Sequence, residues 1–422
     1  MSESAFSSFD DALEQSGTEA SLEYLKDHFL QLKDYHKLFE ILKMQVRKDL
    51  NLPVVFDPEK EKELSHEVNR KLEDGMMNAC REVGQHLFRA GRPEEGRMYL
   101  QPVGDRAFAK QLLQEVPLNE ETQAAIVEIG LGYGVDPGYG FRLMLEEHGV
   151  CDAITSIDVK IRQGEFDQKS LREVCVVLLE HFYQDITEKV LLEVAQREGQ
   201  AEPTGSSLGE LLDRHQWIVT ETGHHVDATH LSSVVRLSRN VSLPQHLEMA
   251  RDLTQYGIRL PEDFQYPGEV PFESTFADHL VWFKGLLGES ETDVLNGIEF
   301  FKTKSQNCHE LDVPIVVETL VSFLVKANLQ AEALKVALEM LAGKSEPLGV
   351  APGLFEIATT PELRERLSQF FQEKGDLLGY AVCSLASQKY PIAVKKAASQ
   401  FFSHTAFPTT FNQLFVFSYQ SC

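Results

Sequence analysis

The strongest constraint on this chain is an apolar period of about 3.6 residues that recurs along most of its length. Leu22, Leu25, Phe29 and Leu32 form one such stripe, and a second stripe begins at Leu38. Stripes of this kind predict amphipathic helices, each of which must bury one face. Strand signals are scarce, so the sequence predicts an all-α protein.

The stripes come in pairs that are separated by short turns rich in small or polar residues. When the pairs are superposed at the turn, Leu30 aligns with Phe88, Leu87 with Leu324, and Leu324 with Phe371. The spacing between copies is not constant, so the chain is not a regular array. Because an isolated helix pair cannot bury both of its stripes, neighbouring pairs must stack. We therefore expect antiparallel helix pairs stacked into an α-solenoid.

One of these pairs, HLFRAGRPEEGRMYLQPV at residues 86–103, resembles a tetratricopeptide repeat. Gly84 lies three residues before Leu87, Ala90 and Gly91 mark the turn, and Pro102 closes the second helix. The segment FLVKANLQAEALKVALEML at residues 323–341 is similar. The resemblance covers about four pairs and implies a superhelix with a groove that binds a peptide or another protein.

Composition shifts divide the chain into five predicted segments. They are a polar N-terminal segment (1–19), an N-terminal helical array (20–197), a central histidine-rich segment (208–272), a C-terminal helical array (273–400) and an aromatic tail (401–422). No charged residue occurs in that tail, which we expect to cover the end of the solenoid. The alternative is that the tail forms a homodimer contact.

The net charge and the cysteine pattern limit the classes of binding partner and the cellular compartment that we expect. The chain carries a formal net charge of −25, which repels phosphate backbones and anionic lipid and argues against general nucleic-acid or membrane binding. Its six cysteines are scattered singly, as is typical of reduced thiols. No secretory signal is recognisable at the N-terminus. We expect a cytoplasmic location and a protein or peptide as the partner.

The histidines concentrate in RHQWIVTETGHHVDATHLSS at residues 214–233. Imidazoles and a carboxylate at this density are a candidate zinc site, with His224, His225, Asp227 and His230 as ligands. Such a site would make the protein a metal-dependent enzyme if one position stayed open for water. The structural alternative is that Asp227 or Thr229 caps a helix over THLSSVVRLSR while the histidines line a loop.

A candidate binding surface follows the histidine-rich segment. Arg236 and Arg239 lie one helical turn apart and are a candidate anion-binding spot against the acidic background. Tyr266 and Phe272 belong to an aromatic-rich stretch around Pro267 and Pro271, which predicts either a loop docked on a helix or the lip of a peptide site.

The segment AIVEIGLGYG at residues 125–134 resembles the first motif of S-adenosylmethionine-dependent methyltransferases. The resemblance implies that Gly130, Gly132 and Gly134 approach the cofactor and that Asp158 accepts the ribose hydroxyls. The alternative is a helix that ends at these glycines, with Asp136 capping the next helix. We prefer a non-enzymatic interaction scaffold without a cofactor to either enzyme.

Overall fold

The computed structural model describes residues 3–55, 64–199, 202–220, 223–341 and 353–387. Across these residues there are eighteen α-helices and no β-strand, apart from one isolated bridge between Pro267 and Ser274. The all-α prediction is therefore confirmed for this part of the chain. The predicted aromatic tail (401–422), with its proposed homodimer contact, lies outside the described residues.

The helices are α1 (Glu3–Gln31), α2 (Tyr35–Asp49), α3 (His66–Arg89), α4 (Pro93–Val103), α5 (Arg106–Glu115), α6 (Gln123–Val127), α7 (Pro137–Gln163), α8 (Gln168–Glu198), α9 (Leu208–Arg214), α10 (Ala228–Leu237), α11 (Pro244–Ile258), α12 (Thr275–Leu287), α13 (Glu291–Asn307), α14 (Val313–Lys326), α15 (Gln330–Leu341), α16 (Leu354–Ile357), α17 (Pro361–Glu373) and α18 (Leu377–Ser387). A π-helix (Glu128–Gly132) continues α6, and single 3₁₀ turns follow α10 and α11. Within the described residues, no helix combines the length and the apolar character that a membrane crossing requires.

The chain forms two compact units. The first comprises Met1–Gly268 and Phe272–Phe283, and the second comprises Glu269–Pro271 and Lys284–Cys422. Most helices in each unit pack against a sequence neighbour, as α3 does with α4, α7 with α8, α14 with α15, and α17 with α18. The five predicted segment boundaries follow composition and stay predictions.

The four helix pairs that the superposed sequences align share one type of turn, and the same turn follows α7 at Gly164. A residue with a positive φ follows the first helix of each pair, namely Lys33, Gly91, Asn328 and Gly375. The next N–H then donates back over five residues, as from Arg92 to the Leu87 carbonyl at 2.9 Å and from Leu329 to the Leu324 carbonyl at 2.8 Å. This is the Schellman bond pattern that ends a helix and satisfies its last carbonyls. The turns fall where the superposed sequences place them, three residues after Leu30 and Phe88.

The α3–α4 pair shows why small residues occur at fixed positions in these hairpins. A Cβ atom on Gly84 would lie 2.7 Å from the Leu100 side chain, and one on Gly96 would lie 2.4 Å from the Phe88 ring. Both distances are too short for a real contact, so glycine sets the approach of the two helices. Leu87 and Phe88 are fully buried at this crossing.

Helix α1 is two helices joined at Gly17, whose φ of 77° and ψ of −170° are not helical. The Tyr24 hydroxyl donates to the Ala5 carbonyl at 3.1 Å, so residues 3–16 fold back beside the second half of α1. The predicted polar N-terminal segment (1–19) is thus helical where it is described. Phe6 and Leu13 on this segment are 61% and 42% exposed.

Candidate functional site

His225 belongs to the predicted zinc site, and both of its ring nitrogens contact the protein. Nε2 lies 2.6 Å from the Glu193 carboxylate on α8, and Nδ1 lies 2.8 Å from the Tyr256 hydroxyl on α11. That hydroxyl also accepts from the His225 backbone N–H at 2.9 Å. Burial raises the pKa of Tyr256 to about 12, so the phenol keeps its proton. His225 therefore ties the loop before α10 to two helices.

The other predicted ligands make separate contacts. Asp227 caps α10 by accepting from the N–H groups of Thr229 and His230, and the Thr229 hydroxyl lowers the pKa of Asp227. The His224 ring packs against Phe264 with centroids 4.6 Å apart. Within the described chain, no group of three or more His, Cys, Asp or Glu side chains is placed to hold a metal ion. The helix-cap alternative is confirmed, and the zinc site stays a prediction.

The four residues of the predicted binding surface have different environments. The Arg236 guanidinium binds both carboxylate oxygens of Asp158 at 2.8 and 2.9 Å. The Arg239 guanidinium lies 4.5 Å from the centroid of the Phe272 ring, which is buried. Tyr266 is 42% exposed. Arg239 and Phe272 are thus in contact, whereas Arg236 forms an ion pair with Asp158 on α7.

A buried histidine that sequence analysis missed lies beneath this pair. The His279 ring stacks on Phe272 with centroids 4.2 Å apart, and Nδ1 donates to the Thr275 carbonyl at 2.5 Å. Burial, aided by the charges of Arg239 and Arg236, lowers the pKa of His279 to about 3. The neutral imidazole is therefore part of an apolar stack.

In the segment 125–134, Gly130 serves helix packing, whereas Gly134 has a positive φ of 68°. The expected strand is helical, with α6 running into the π-helix. A Cβ on Gly130 would lie 2.9 Å from the Asp136 carbonyl, and one on Gly140 would lie 2.7 Å from the Leu131 nitrogen. Asp136 caps α7 by accepting from the Tyr139 N–H at 3.3 Å, as the helical alternative expects. The strands that the methyltransferase resemblance requires are absent from these described residues.

The second unit contains a groove of about 430 Å³ between α15 and α17. Leu338 and Phe370 are its apolar lining residues; Leu338 is largely buried at 9% exposure, and Phe370 remains partly exposed. Phe370 is held in place by a T-shaped contact with the Phe371 ring at 5.9 Å between centroids. An apolar side chain from a ligand would therefore meet a preformed aromatic surface.

Charged side chains border these two apolar residues. Lys335 and Glu339 line the groove from α15, and Arg366 and Glu373 line it from α17, with Lys374 directly after that helix. Lys335 is 61% exposed and lies 4.0 Å from Glu339. Three cations and two carboxylates give the lining an excess of positive charge in a chain whose net charge is −25. The groove is consequently a local exception to the acidic surface.

Two grooves in the first unit differ in chemistry. One lies along the end of α7, between Asp152 and Glu165, and has Val159 as its apolar member. The other lies around Pro203 and Arg214. Neither has an aromatic side chain among its lining residues. The α15–α17 groove is therefore the better candidate for binding a protein segment.

No family model and no curated protein matches this chain.

Proposed function

We propose that the protein is an interaction scaffold of the tetratricopeptide-like class, in which helix pairs stack as a solenoid and the α15–α17 groove binds a segment of another protein. The observation that carries the proposal is the combination of Leu338 and Phe370 with the cations Lys335, Arg366 and Lys374. The four Schellman turns support the repeat character. A cytoplasmic location belongs to the same proposal.

The groove chemistry selects an amphipathic segment with acidic residues. A helix that presents apolar side chains at positions i, i+3, i+4 and i+7 suits a hydrophobic groove between two helices. Acidic side chains flanking that stripe would meet the three cations, which favours orientation and rapid association more than affinity. Because the groove is small and open, we expect a dissociation constant in the micromolar range.

The test uses a synthetic helical peptide that carries Leu and Phe on one face and Glu on the other, labelled with a fluorophore. The control peptide has the same apolar residues, with Lys in place of Glu. We expect the acidic peptide to bind the full chain, as measured by fluorescence anisotropy, and the basic peptide to bind much more weakly. Equal binding of both, or of neither, would contradict the proposal.

Two lysines provide a matched pair of variants. Lys335 is 61% exposed beside Glu339, and Lys71 is 58% exposed beside Glu67 on α3, so Lys335→Glu and Lys71→Glu change the net charge equally at similar helix surfaces. Lys335→Glu is expected to lower the affinity of the protein for the acidic peptide about tenfold, or roughly 1.4 kcal/mol. Lys71→Glu should leave that affinity unchanged.

A further inference from the structure

The chain itself contains a helix with the chemistry that the α15–α17 groove selects. On residues 3–16, Phe6, Asp10 and Leu13 follow one another at spacings of four and three residues, which places them on one helix face. All three are exposed, as are Asp11 and Glu14 beside them. No Lys, Arg or His occurs before Lys26. This segment, which we call the acidic helix, is thus apolar and negatively charged along its outer face.

Among the described residues of the first unit, packing leaves that face largely exposed. The fold-back at Gly17 brings Ala5 against Tyr24, and Phe9 and Ala12 are partly buried on the inner side. Phe6 and Leu13 remain 61% and 42% exposed on the outer side. They are separated by about 10 Å along the helix axis at 1.5 Å per residue. Together with the acidic residues beside them, they form an amphipathic helix face of the kind that docks in a groove between helices.

We infer that the acidic helix of one copy docks in the α15–α17 groove of a second copy. Phe6 and Leu13 would contact Leu338 and Phe370, while Asp10, Asp11 and Glu14 would meet the cations at the rim. This inference depends on the proposed function of the groove and names its occupant. Since the two contacting surfaces differ, the contact is heterologous and links copies head to tail.

A synthetic peptide of residues 3–16 tests the contact directly. It is expected to bind the full wild-type chain. Its affinity for the Lys335→Glu protein should be about tenfold lower, and its affinity for the Lys71→Glu protein should equal that for the wild type. If the designed acidic peptide binds but residues 3–16 do not, the inference is overturned and the proposed function stands. If neither peptide binds, both are overturned.

Mixing two variants distinguishes a head-to-tail contact from a general effect on folding. Phe6→Ser with Leu13→Ser removes the apolar face of the acidic helix, and Lys335→Glu impairs the groove. Each variant alone is expected to sediment as a monomer under conditions in which the wild type self-associates, with unchanged far-ultraviolet circular dichroism. The mixture retains one intact helix and one intact groove, so it should form a dimer and no larger species. A monomeric mixture, or a wild type that does not self-associate, would overturn the inference.

Discussion

The backbone N–H of Arg92 donates to the Leu87 carbonyl at 2.9 Å, and this bond closes the turn between α3 and α4 around Gly91. Gly91 has a φ of 73°, and the nearest atom to a Cβ placed there is Thr122 Cγ2 at 3.8 Å. There is therefore room for a side chain, but the positive φ is unfavourable for any residue other than glycine. A substitution at this position should lower stability through the backbone conformation and not through a steric clash.

Replacing Gly91 with Ala is expected to lower the free energy of unfolding by about 1 kcal/mol, because an L-residue is disfavoured at positive φ. Urea unfolding of the full chain measures the change. The equivalent position in the first pair is Lys33, with a φ of 55°. Lys33→Gly relieves the same strain and should not destabilise the protein, so a loss of stability there would contradict the shared-turn interpretation.

Gly209 is expected to contribute to stability for a different reason: its backbone lies close to the buried carboxylate of Asp252. A Cβ there would lie 2.7 Å from Asp252 Oδ1, and Asp252 Oδ2 already accepts from the Gly209 N–H at 3.0 Å. Gly209→Ala should therefore cost about 1–3 kcal/mol in unfolding free energy. Gly223→Ala is the control, since no atom lies within 4 Å of a Cβ at that position. Equal effects of the two substitutions would contradict this explanation.

The buried imidazole of His279 predicts acid sensitivity. Its pKa is lowered from 6.5 to about 3 in the folded protein, so between these values the unfolded chain binds the additional proton. The stabilisation is fully present above pH 6.5 and is lost as the pH falls toward about 3, by up to about 5 kcal/mol.

Replacing His279 with Leu removes this titration. The variant should show a flatter dependence of unfolding free energy on pH below 6.5, measured by urea unfolding at several pH values. His66→Leu alters an exposed histidine and should keep the wild-type dependence. If His279→Leu also keeps it, another group is responsible for the acid sensitivity.

The predicted zinc site is tested by chelation and by His225→Ala. Because His225 already contacts Glu193 and Tyr256, the structure favours a stabilising role without a metal. His225→Ala should cost about 1–3 kcal/mol, since Glu193 and the buried Tyr256 hydroxyl both lose their contact with the imidazole. A chelator should leave the melting temperature of the wild type unchanged. A lower melting temperature with stoichiometric zinc in the untreated protein would instead support the metal site.

The hairpins could be predicted from the sequence because their signals are local. The apolar stripes and the turn composition place Gly91 and Asn328 correctly, and Asp136 and Asp227 were expected as helix caps from their position before a helix. In each case the relevant atoms lie within a few residues of one another. Local hydrogen bonding is then sufficient to decide the structure.

The groove could not be predicted, since it depends on which helices become neighbours. Phe370 reads in the sequence as one more residue of an apolar stripe, and Lys335 reads as a solvent-exposed lysine. Their proximity depends on how the chain returns after α15, and no local pattern specifies that path. His279 was missed for a related reason, since its burial depends on Phe272 and Arg239, which belong to other elements.

Amide hydrogen exchange of the full chain, with and without the designed acidic peptide, reports which helices the peptide contacts. We expect slower exchange on peptide binding that is confined to α15 and α17 and is lost with Lys335→Glu. Protection that falls elsewhere in the chain, or that persists unchanged in Lys335→Glu, would contradict the assignment of the α15–α17 groove as the binding site.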